Sequence, residues 1–450
     1  MHVMNWPAEE GLQPRTRQLN IGGMRFQTAV FLASLFSLIA GSARLHAVDT
    51  IVDEVKVPPY VLPDPLTFQD GSKVRNSADW QDKRRPELLR LFENEIYGKT
   101  LVGRPQAMRF VVREEIKDAR GGAATRLRVG ILFEGRETGR QMELLVYLPN
   151  NSRGRIPIFL GLNFDGNYTT TVEPDLPVPR HWANGLFVNR LKNNTPSEGG
   201  RGIHQHMWPF AYAMEHGYGI ATIGYGEIEP DAHGHWKDGP RGLGPEPGAG
   251  DWGTIGSWAW GLSRALDYLE SNPRVDARNV IVIGFSRLGK AALWAAAQDE
   301  RFAAVVSNES GAGGIALSKR LFGERVDHLT HSLGHWFAPN FSKYSDNEEA
   351  LPIDQHELAA LIAPRPLLIM SGTTDLNSDP KGEFLGGLGA SPVYKLLGTD
   401  GCSASDWPGP SALVDGTIGY FLRPGGHDVT LEDWQAMIAF ADKHLAKAHR

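Results

Sequence analysis

Residues 280–290 read Val-Ile-Val-Ile-Gly-Phe-Ser-Arg-Leu-Gly-Lys, and this stretch decides the fold. Four apolar, β-branched residues predict a buried strand, and the alanine-rich run at 290–297 predicts a helix. A serine bounded by glycines at a strand-to-helix turn is typical of a nucleophile elbow, which holds the hydroxyl of Ser286 clear of the backbone. The spacing is G-x-S-x-x-G rather than the usual G-x-S-x-G, so a serine without a catalytic role remains an alternative at this point.

Two carboxylates and a histidine follow, in the order serine, acid, histidine that such a hydrolase requires. Glu309 comes after the apolar run 303–307, Asp375 after the run 366–370, and His427 on a Gly-rich segment near the C-terminus. Because the carboxyl ends of parallel strands meet at one edge of a sheet, we expect these side chains to lie beside Ser286. A serine activated by a histidine, which an acid orients, performs acyl transfer.

The remaining pattern predicts an α/β-hydrolase fold, a three-layer sandwich with a mostly parallel central sheet and helices on both faces. Apolar runs predict an antiparallel pair of strands at 125–133 and 142–148 and buried strands at 156–162 and 218–225. Helical spacing predicts helices at 84–97, 252–269 and 431–448, and a polar insertion occupies 173–202. Without an internal repeat or a linker, residues 81–450 are predicted to form a single catalytic domain.

The first 80 residues are expected to contain two different segments. An apolar run at 29–40 follows Met24-Arg25 and is typical of a secretion signal, being short for a membrane span. We predict a signal peptide over 1–47 with Met24 as an alternative start, cleavage after Ala47 or Ala43, and an uncleaved anchor as the competing interpretation. Residues 48–80 are rich in proline and predict an irregular strap over the domain surface.

Composition excludes several classes of partner. The net charge of −6 gives no sign of a nucleic-acid or anionic-membrane partner, and a membrane is not expected after signal cleavage. Cys402 is the only cysteine, so no intramolecular disulfide can form. We expect a monomer without cofactor or metal. Two His-x-His pairs could indicate a metal hydrolase, but their Gly-rich surroundings carry no bridging acid motif: His204 with His206, and His233 with His235.

Two motifs resemble those of the glucuronoyl esterases, carbohydrate esterase family 15. Residues 284–290 resemble the motif G-C-S-R-x-G-K, with Phe285 where many members have cysteine. Residues 308–314, Asn-Glu-Ser-Gly-Ala-Gly-Gly, resemble the E-S-G-x-G-G segment that carries the family's catalytic glutamate. Segments at 162–167, 225–231, 258–264 and 335–337 agree with it, so the resemblance covers about residues 85–445 and points to the bacterial members.

The resemblance implies a secreted or periplasmic bacterial serine esterase. Its substrate would be a 4-O-methyl-glucuronoyl ester that links glucuronoxylan to a lignin alcohol. The implied nucleophile and base are Ser286 and His427. Glu309 is the favoured acid, with Asp375, which lies where an ordinary α/β-hydrolase keeps its acid, in support.

The resemblance also implies how the ester is bound. The side chain of Arg287 would face the oxyanion, where a fixed cation stabilises the tetrahedral intermediate. Lys290 lies one helical turn past Ser286 and would contact a hydroxyl of the glucuronate ring, and Glu324 would be another sugar-contacting carboxylate. Asn377 stands where many bacterial members have a tryptophan of the sugar pocket.

Two other functions remain open from the sequence. One is an acetyl xylan esterase or another carbohydrate or xenobiotic carboxylesterase, which would not need the uronate contact of Lys290. The other is a glycan-binding protein without catalysis, against which the intact serine, acid and histidine argue. Four tryptophans near predicted loops could stack on a sugar ring, although most are expected to be packing residues: Trp208, Trp236, Trp252 and Trp336.

Overall fold

A ten-stranded sheet forms the centre of the computed structural model, which describes residues 50–179 and 196–445. In chain order, its strands are β1 (Arg109–Ala119), β2 (Ala124–Leu132), β3 (Gln141–Pro149), β4 (Ile156–Asn163), β5 (Gly219–Gly224), β6 (Val275–Phe285), β7 (Ala304–Asn308), β8 (Leu367–Gly372), β9 (Leu413–Asp415) and β10 (Ile418–Arg423). Their spatial order is β1-β2-β3-β5-β4-β6-β7-β8-β10-β9. The described residues belong to one compact unit.

The middle of this sheet is parallel. Strands β5, β4, β6, β7, β8 and β10 pair in parallel, whereas β1, β2, β3 and β9 pair antiparallel at the two sides. Every residue of β5, β7, β8 and β10 is buried, because helices cover both faces of a parallel sheet. The α/β-hydrolase prediction is confirmed, and so is the antiparallel pair now seen as β2 and β3.

Ten α-helices are found within the described residues. They are α1 (Ser77–Asp79), α2 (Arg85–Phe92), α3 (Phe210–Glu215), α4 (Tyr225–Ile228), α5 (Thr254–Ser271), α6 (Arg287–Gln298), α7 (Val326–Ser332), α8 (Gln355–Ala360), α9 (Pro380–Leu396) and α10 (Leu431–His444). None of the described helices is long and apolar enough to cross a membrane. Helix α6 is buried from Arg287 to Ala297, which explains its run of alanines, because small side chains let it pack close to the sheet.

Two elements differ from the sequence-based expectation. The helix expected at 84–97 is α2 with a π-helical turn on each side, Trp80–Arg84 and Glu93–Tyr97. Strand β1 was not predicted. Its sequence RFVVREEIKDA contains six charged residues, and only the last position is buried, so an exposed edge strand of this kind lacks the apolar alternation that predicts strands.

The Pro-rich strap is irregular over its described part up to residue 76, apart from a 3₁₀ turn at Glu54–Lys56, and its last residues form α1 and begin the π-helical turn at Trp80. It is attached by polar contacts, in which His356 Nε2 lies 2.8 Å from the carbonyl oxygen of Pro63 and Arg84 Nε donates to that of Pro65 at 3.1 Å. The predicted signal peptide and part of the insertion at 173–202 lie outside the described residues. The domain boundaries stay predictions.

Candidate active site

Ser286 lies between β6 and α6 in a strained turn, with φ 58° and ψ −130°. Its N–H donates to the carbonyl oxygen of Asn308 at 2.9 Å, which ties the turn to the neighbouring strand β7. A side chain at Gly284 would clash with the carbonyl oxygen of Leu288, and one at Gly289 would press on Ser310 at 3.0 Å. The two glycines are therefore needed for the close approach of strand and helix. Strain of this kind is typical of a functional position.

His427 meets both candidate acids. Its Nδ1 lies 2.7 Å from Oδ2 of Asp375 and 3.1 Å from Oε2 of Glu309, and its ring centre lies 4.5 Å from that of Phe285, the residue before Ser286. Asp375 follows β8, and Glu309 follows β7 with φ 46°. The structure thus brings the predicted histidine and acids together beside the elbow, and the shorter contact belongs to Asp375.

The two acids have different surroundings. Glu309 is completely buried; Nη2 of Arg423 donates to its Oε1 at 2.8 Å, and the N–H of Asp428 donates to its Oε2 at 3.0 Å. Burial nevertheless raises the pKa of Glu309 to about 7. Burial also opposes ionisation of Asp375, but hydrogen bonding to His427 outweighs it and keeps the pKa of Asp375 below its ordinary value. Asp375 is therefore the more acidic of the two groups.

Both acids act on the imidazole. Burial disfavours the charged form of His427, but hydrogen bonds to Asp375 and Glu309 outweigh burial and raise the pKa of His427 above its ordinary value. The pair of acids thereby stabilises an imidazolium, which is the form that a histidine takes after it has removed a proton from a serine.

Arg287, the residue after the elbow serine, is held by a buried carboxylate. Its Nη1 donates to Oδ2 of Asp231 at 2.5 Å, and its guanidinium carbon lies 4.7 Å above the ring of Trp336. Asp231 also accepts hydrogen bonds from Tyr225 at 3.0 Å and Trp336 at 2.6 Å, and it lies 2.7 Å from Nε2 of His335. The Asp231 contacts fix the guanidinium in the turn beside Ser286.

The charge state of Asp231 is well defined. Burial opposes its ionisation, but contact with His335 and the positive charge of Arg287 lower the pKa of Asp231 to about 2. In the sequence, Asp231 is distinguished only by its place in the resembling segment 225–231. No local pattern reveals that it faces a residue 56 positions away.

Comparison with known proteins places this chain in a family. Residues 247–398 match the model of the fungal glucuronyl esterases. Carbohydrate esterase MZ0003, from an unknown prokaryotic organism, is 46% identical over 87% of this chain and 91% of its own length. The chain belongs to carbohydrate esterase family 15. It is a carboxylic ester hydrolase of that family.

Solved structures of family 15 agree with this assignment. A promiscuous esterase from a marine bacterial metagenome is 45% identical, with a TM-score of 0.82 over 88% of this chain and 100% of that chain. The glucuronoyl esterase of Solibacter usitatus is 43% identical, with a TM-score of 0.82 over 87% and 100% of the two chains. The 4-O-methyl-glucuronoyl methylesterase of Schizophyllum commune is 27% identical over 83% of this chain and 85% of its own length.

The two predicted sugar-binding residues of this esterase lie together. Nζ of Lys290 lies 3.9 Å from Oε2 of Glu324 and donates to the carbonyl oxygen of Ser310 at 2.7 Å. Lys290 is 4% exposed, and burial lowers the pKa of its ammonium group. The N–H of Glu324 donates to the carbonyl oxygen of Asn377 at 2.8 Å, and Asn377 itself is exposed. Residue 377, where the family resemblance leads us to expect tryptophan, thus contacts the Lys290–Glu324 pair through its backbone.

Three of the four tryptophans considered for sugar stacking are packing residues. Trp252, Trp336 and Trp208 are 1%, 3% and 8% exposed, and Trp336 supports Arg287. Trp236 is half-buried, and Nζ of Lys237 lies 5.2 Å from its ring centre. The expectation that most of these rings pack is confirmed.

The His-x-His pairs do not form a shared centre. Their rings face four separate partners: His204 lies 3.0 Å from Asp165, His206 lies 3.1 Å from Asp428, His235 lies 2.8 Å from Asp238, and the ring centre of His233 lies 4.3 Å from that of His335, with the two rings tilted by 59°. Among the described residues, the three side chains close enough to share an ion are Glu309, Asp375 and His427. Their contacts of 2.7 and 3.1 Å are hydrogen-bond distances between the imidazole and the two carboxylates.

Proposed function

We propose that this family 15 esterase cleaves 4-O-methyl-glucuronoyl esters that link glucuronoxylan to lignin alcohols, with Ser286 as nucleophile and His427 as base. One observation carries the proposal: a histidine held by two carboxylates packs on Phe285, next to Ser286 in its strained elbow. The names of the Solibacter and Schizophyllum relatives support the uronic acid. The predicted signal peptide over 1–47 would export the enzyme to its polysaccharide substrate.

The proposed reaction proceeds through an acyl-enzyme. Ser286 Oγ attacks the uronate carbonyl while His427 accepts its proton, and Asp375 and Glu309 stabilise the imidazolium. The guanidinium of Arg287 and the backbone N–H groups of the elbow stabilise the oxyanion. His427 then protonates the leaving alcohol, and water activated by the same histidine releases the acid and regenerates Ser286.

Specificity for the uronate is proposed to come from Lys290 and Glu324. A uronate ring presents hydroxyls next to the scissile carbonyl, whereas an acetyl group presents none. A buried ammonium 3.9 Å from a carboxylate offers one donor and one acceptor to such hydroxyls. This pair therefore favours the sugar acid on the acyl side of the ester.

A broader carboxylesterase activity is the second candidate. Asn377 is exposed, and its carbonyl oxygen accepts the N–H of Glu324. With asparagine where bacterial relatives are expected to have tryptophan, the proposed sugar pocket would lack an aromatic wall on this side. A relative described as a promiscuous esterase favours the same interpretation. An open wall would admit esters other than glucuronates, including acetylated xylan.

A substrate comparison with one variant tests the proposal. Purified enzyme is assayed side by side on benzyl glucuronate, methyl glucuronate and acetylated xylan, and we expect the highest kcat/KM on benzyl glucuronate. Ser286→Ala should fold and lose at least about a thousandfold in kcat, because it removes the nucleophile. Ser342→Ala, at an exposed serine, is the control and should keep wild-type activity. Activity of Ser286→Ala within tenfold of wild type would remove Ser286 from the mechanism, and preference for acetylated xylan would favour the second candidate.

A further inference from the structure

Helix α9 places a carboxyl group, Glu383, under the floor of the active site. Glu383 is 0% exposed. Its Oε1 accepts a hydrogen bond from the N–H of Gly311 at 2.9 Å, and its Oε2 lies 2.5 Å from the hydroxyl of Ser371 at the end of β8. The hydroxyl of Ser310 lies 3.5 Å from Oε1. One side chain thus joins the helix, a central strand and the turn that follows Glu309.

The surroundings of Glu383 favour its neutral form. Burial raises its pKa well above the ordinary value, and the nearby carboxylates Asp375 and Glu309 add to this effect. A buried carboxylate would need a cation in direct contact, whereas the hydrogen-bond partners here are hydroxyls and a backbone N–H. A protonated carboxyl supplies one donor and one acceptor, which matches Ser371 and Gly311.

The turn that Glu383 holds supports two parts of the site. Ser310 is completely buried, and its hydroxyl accepts hydrogen bonds from Ser307 Oγ at 2.7 Å and from the N–H of Ile315 at 3.0 Å. Its carbonyl oxygen accepts the hydrogen bond from Nζ of Lys290, and the preceding residue is Glu309, which contacts His427. A shift of this turn would displace both the acid and the ammonium.

We propose that Glu383 is a positioning residue: through its hydrogen bonds with Gly311 and Ser371 it holds the 309–311 turn, and through this turn it sets both the acid contact of His427 and the place of Lys290. The proposal rests on the catalytic and uronate-binding roles proposed above for those residues. Because a displacement of about 1 Å in an active site can cost a hundredfold in rate, the effect is measurable.

The test compares two substitutions of Glu383 on two substrates, benzyl glucuronate and an aryl acetate. Glu383→Gln replaces the carboxyl group with a neutral amide of similar shape, which has an acceptor oxygen and N–H donors, and should keep kcat within about threefold of wild type. Glu383→Ala should lower kcat on both substrates by about 10- to 100-fold and raise KM for the glucuronate more than for the acetate. The acid limb of its pH profile should also move, because the Glu309–His427 contact changes. If Glu383→Ala fails to fold, Ser371→Ala provides a milder change, with smaller losses in the same directions.

Glu357→Ala is the matched control. Glu357 is also completely buried and has a raised pKa through burial, but it caps α8 and pairs with Arg84. This variant should lose stability without a change in the ratio of kcat/KM between the two substrates. A Glu383→Gln variant as impaired as Glu383→Ala, or a Glu383→Ala variant with wild-type kinetics, overturns the proposal. A wild-type enzyme inactive on the glucuronate would instead overturn the proposed substrate, and kcat and the pH profile on the acetate would still test Glu383.

Discussion

Asp231→Asn tests whether the guanidinium of Arg287 stabilises the oxyanion only when the carboxylate of Asp231 fixes its position. The substitution keeps the size of the side chain but removes its charge, and it puts an amide donor where the carboxylate accepts hydrogen bonds from Arg287, Tyr225 and Trp336. Loss of one oxyanion donor costs about 10²–10³ in kcat, or about 2.7–4 kcal/mol. Because Arg287 remains present but is less fixed, we expect kcat to fall by about 10- to 100-fold. KM should change little, since the interaction is made in the transition state.

Stability should fall as well. The side chains of Arg287 and Asp231 are 9% and 2% exposed, and removing one partner of a buried ion pair costs about 3–5 kcal/mol. The pKa of Asp231 is lowered to about 2, so this stabilisation is present above the ordinary aspartate pKa of about 3.9 and is lost only as pH falls toward 2. At an assay pH of about 7–8, the wild-type protein has the full stabilisation from this ion pair, which the variant lacks. Its kcat must therefore be measured well below the melting temperature of the variant.

A double-mutant cycle with Arg287→Ala distinguishes an effect of Asp231 on the position of Arg287 from a general disturbance of the active site. If Asp231 acts through Arg287, adding Asp231→Asn to Arg287→Ala should lower kcat by less than about threefold. Glu357→Gln is the control for breaking a buried pair elsewhere, because Glu357 contacts Arg84 at 2.7 Å; it should lower Tm and leave kcat unchanged. Additive losses in kcat, or an Asp231→Asn variant within twofold of wild type, would refute the reasoning.

Three further outcomes are expected from the geometry of the site. Lys290→Ala should lower kcat/KM on glucuronate esters far more than on aryl acetates, because the contact is made to the uronate ring; equal losses would assign Lys290 a structural role. Asn377→Trp should lower KM for small glucuronate esters with little change in kcat, since it closes the wall beside Glu324, and an unchanged or higher KM would show that this wall is already closed. Asp375→Asn should move the acid limb of the kcat/KM profile to lower pH, because removing an anion 2.7 Å away lowers the raised pKa of His427. Glu309→Gln should move it less, and each variant should keep more activity than the double variant; an acid limb that stays in place in both would exclude the two acids as partners of the imidazole.

The central framework of this protein could be predicted because it is local. The strand, turn and helix around Ser286 lie within residues 275–298, and each of the buried strands β4 to β8 contains a short apolar run that can be recognised without its partner strands. The order of serine, acid and histidine was equally readable. The edge strand β1 could not be predicted from the sequence. Its charged side chains are exposed to solvent, so it lacks the alternation of apolar residues that marks a strand packed on a core.

Tertiary structure alone decided how the side chains share the site. Asp375 and Glu309 both reach His427 from positions 52 and 118 residues before it, and only the parallel arrangement of β7, β8 and β10 makes their distances comparable. The partnership of Arg287 with Asp231 likewise depends on elements distant in the chain. The spacing of apolar residues along the sequence indicates which face of an element is buried, whereas hydrogen bonds between distant turns depend on how the elements pack.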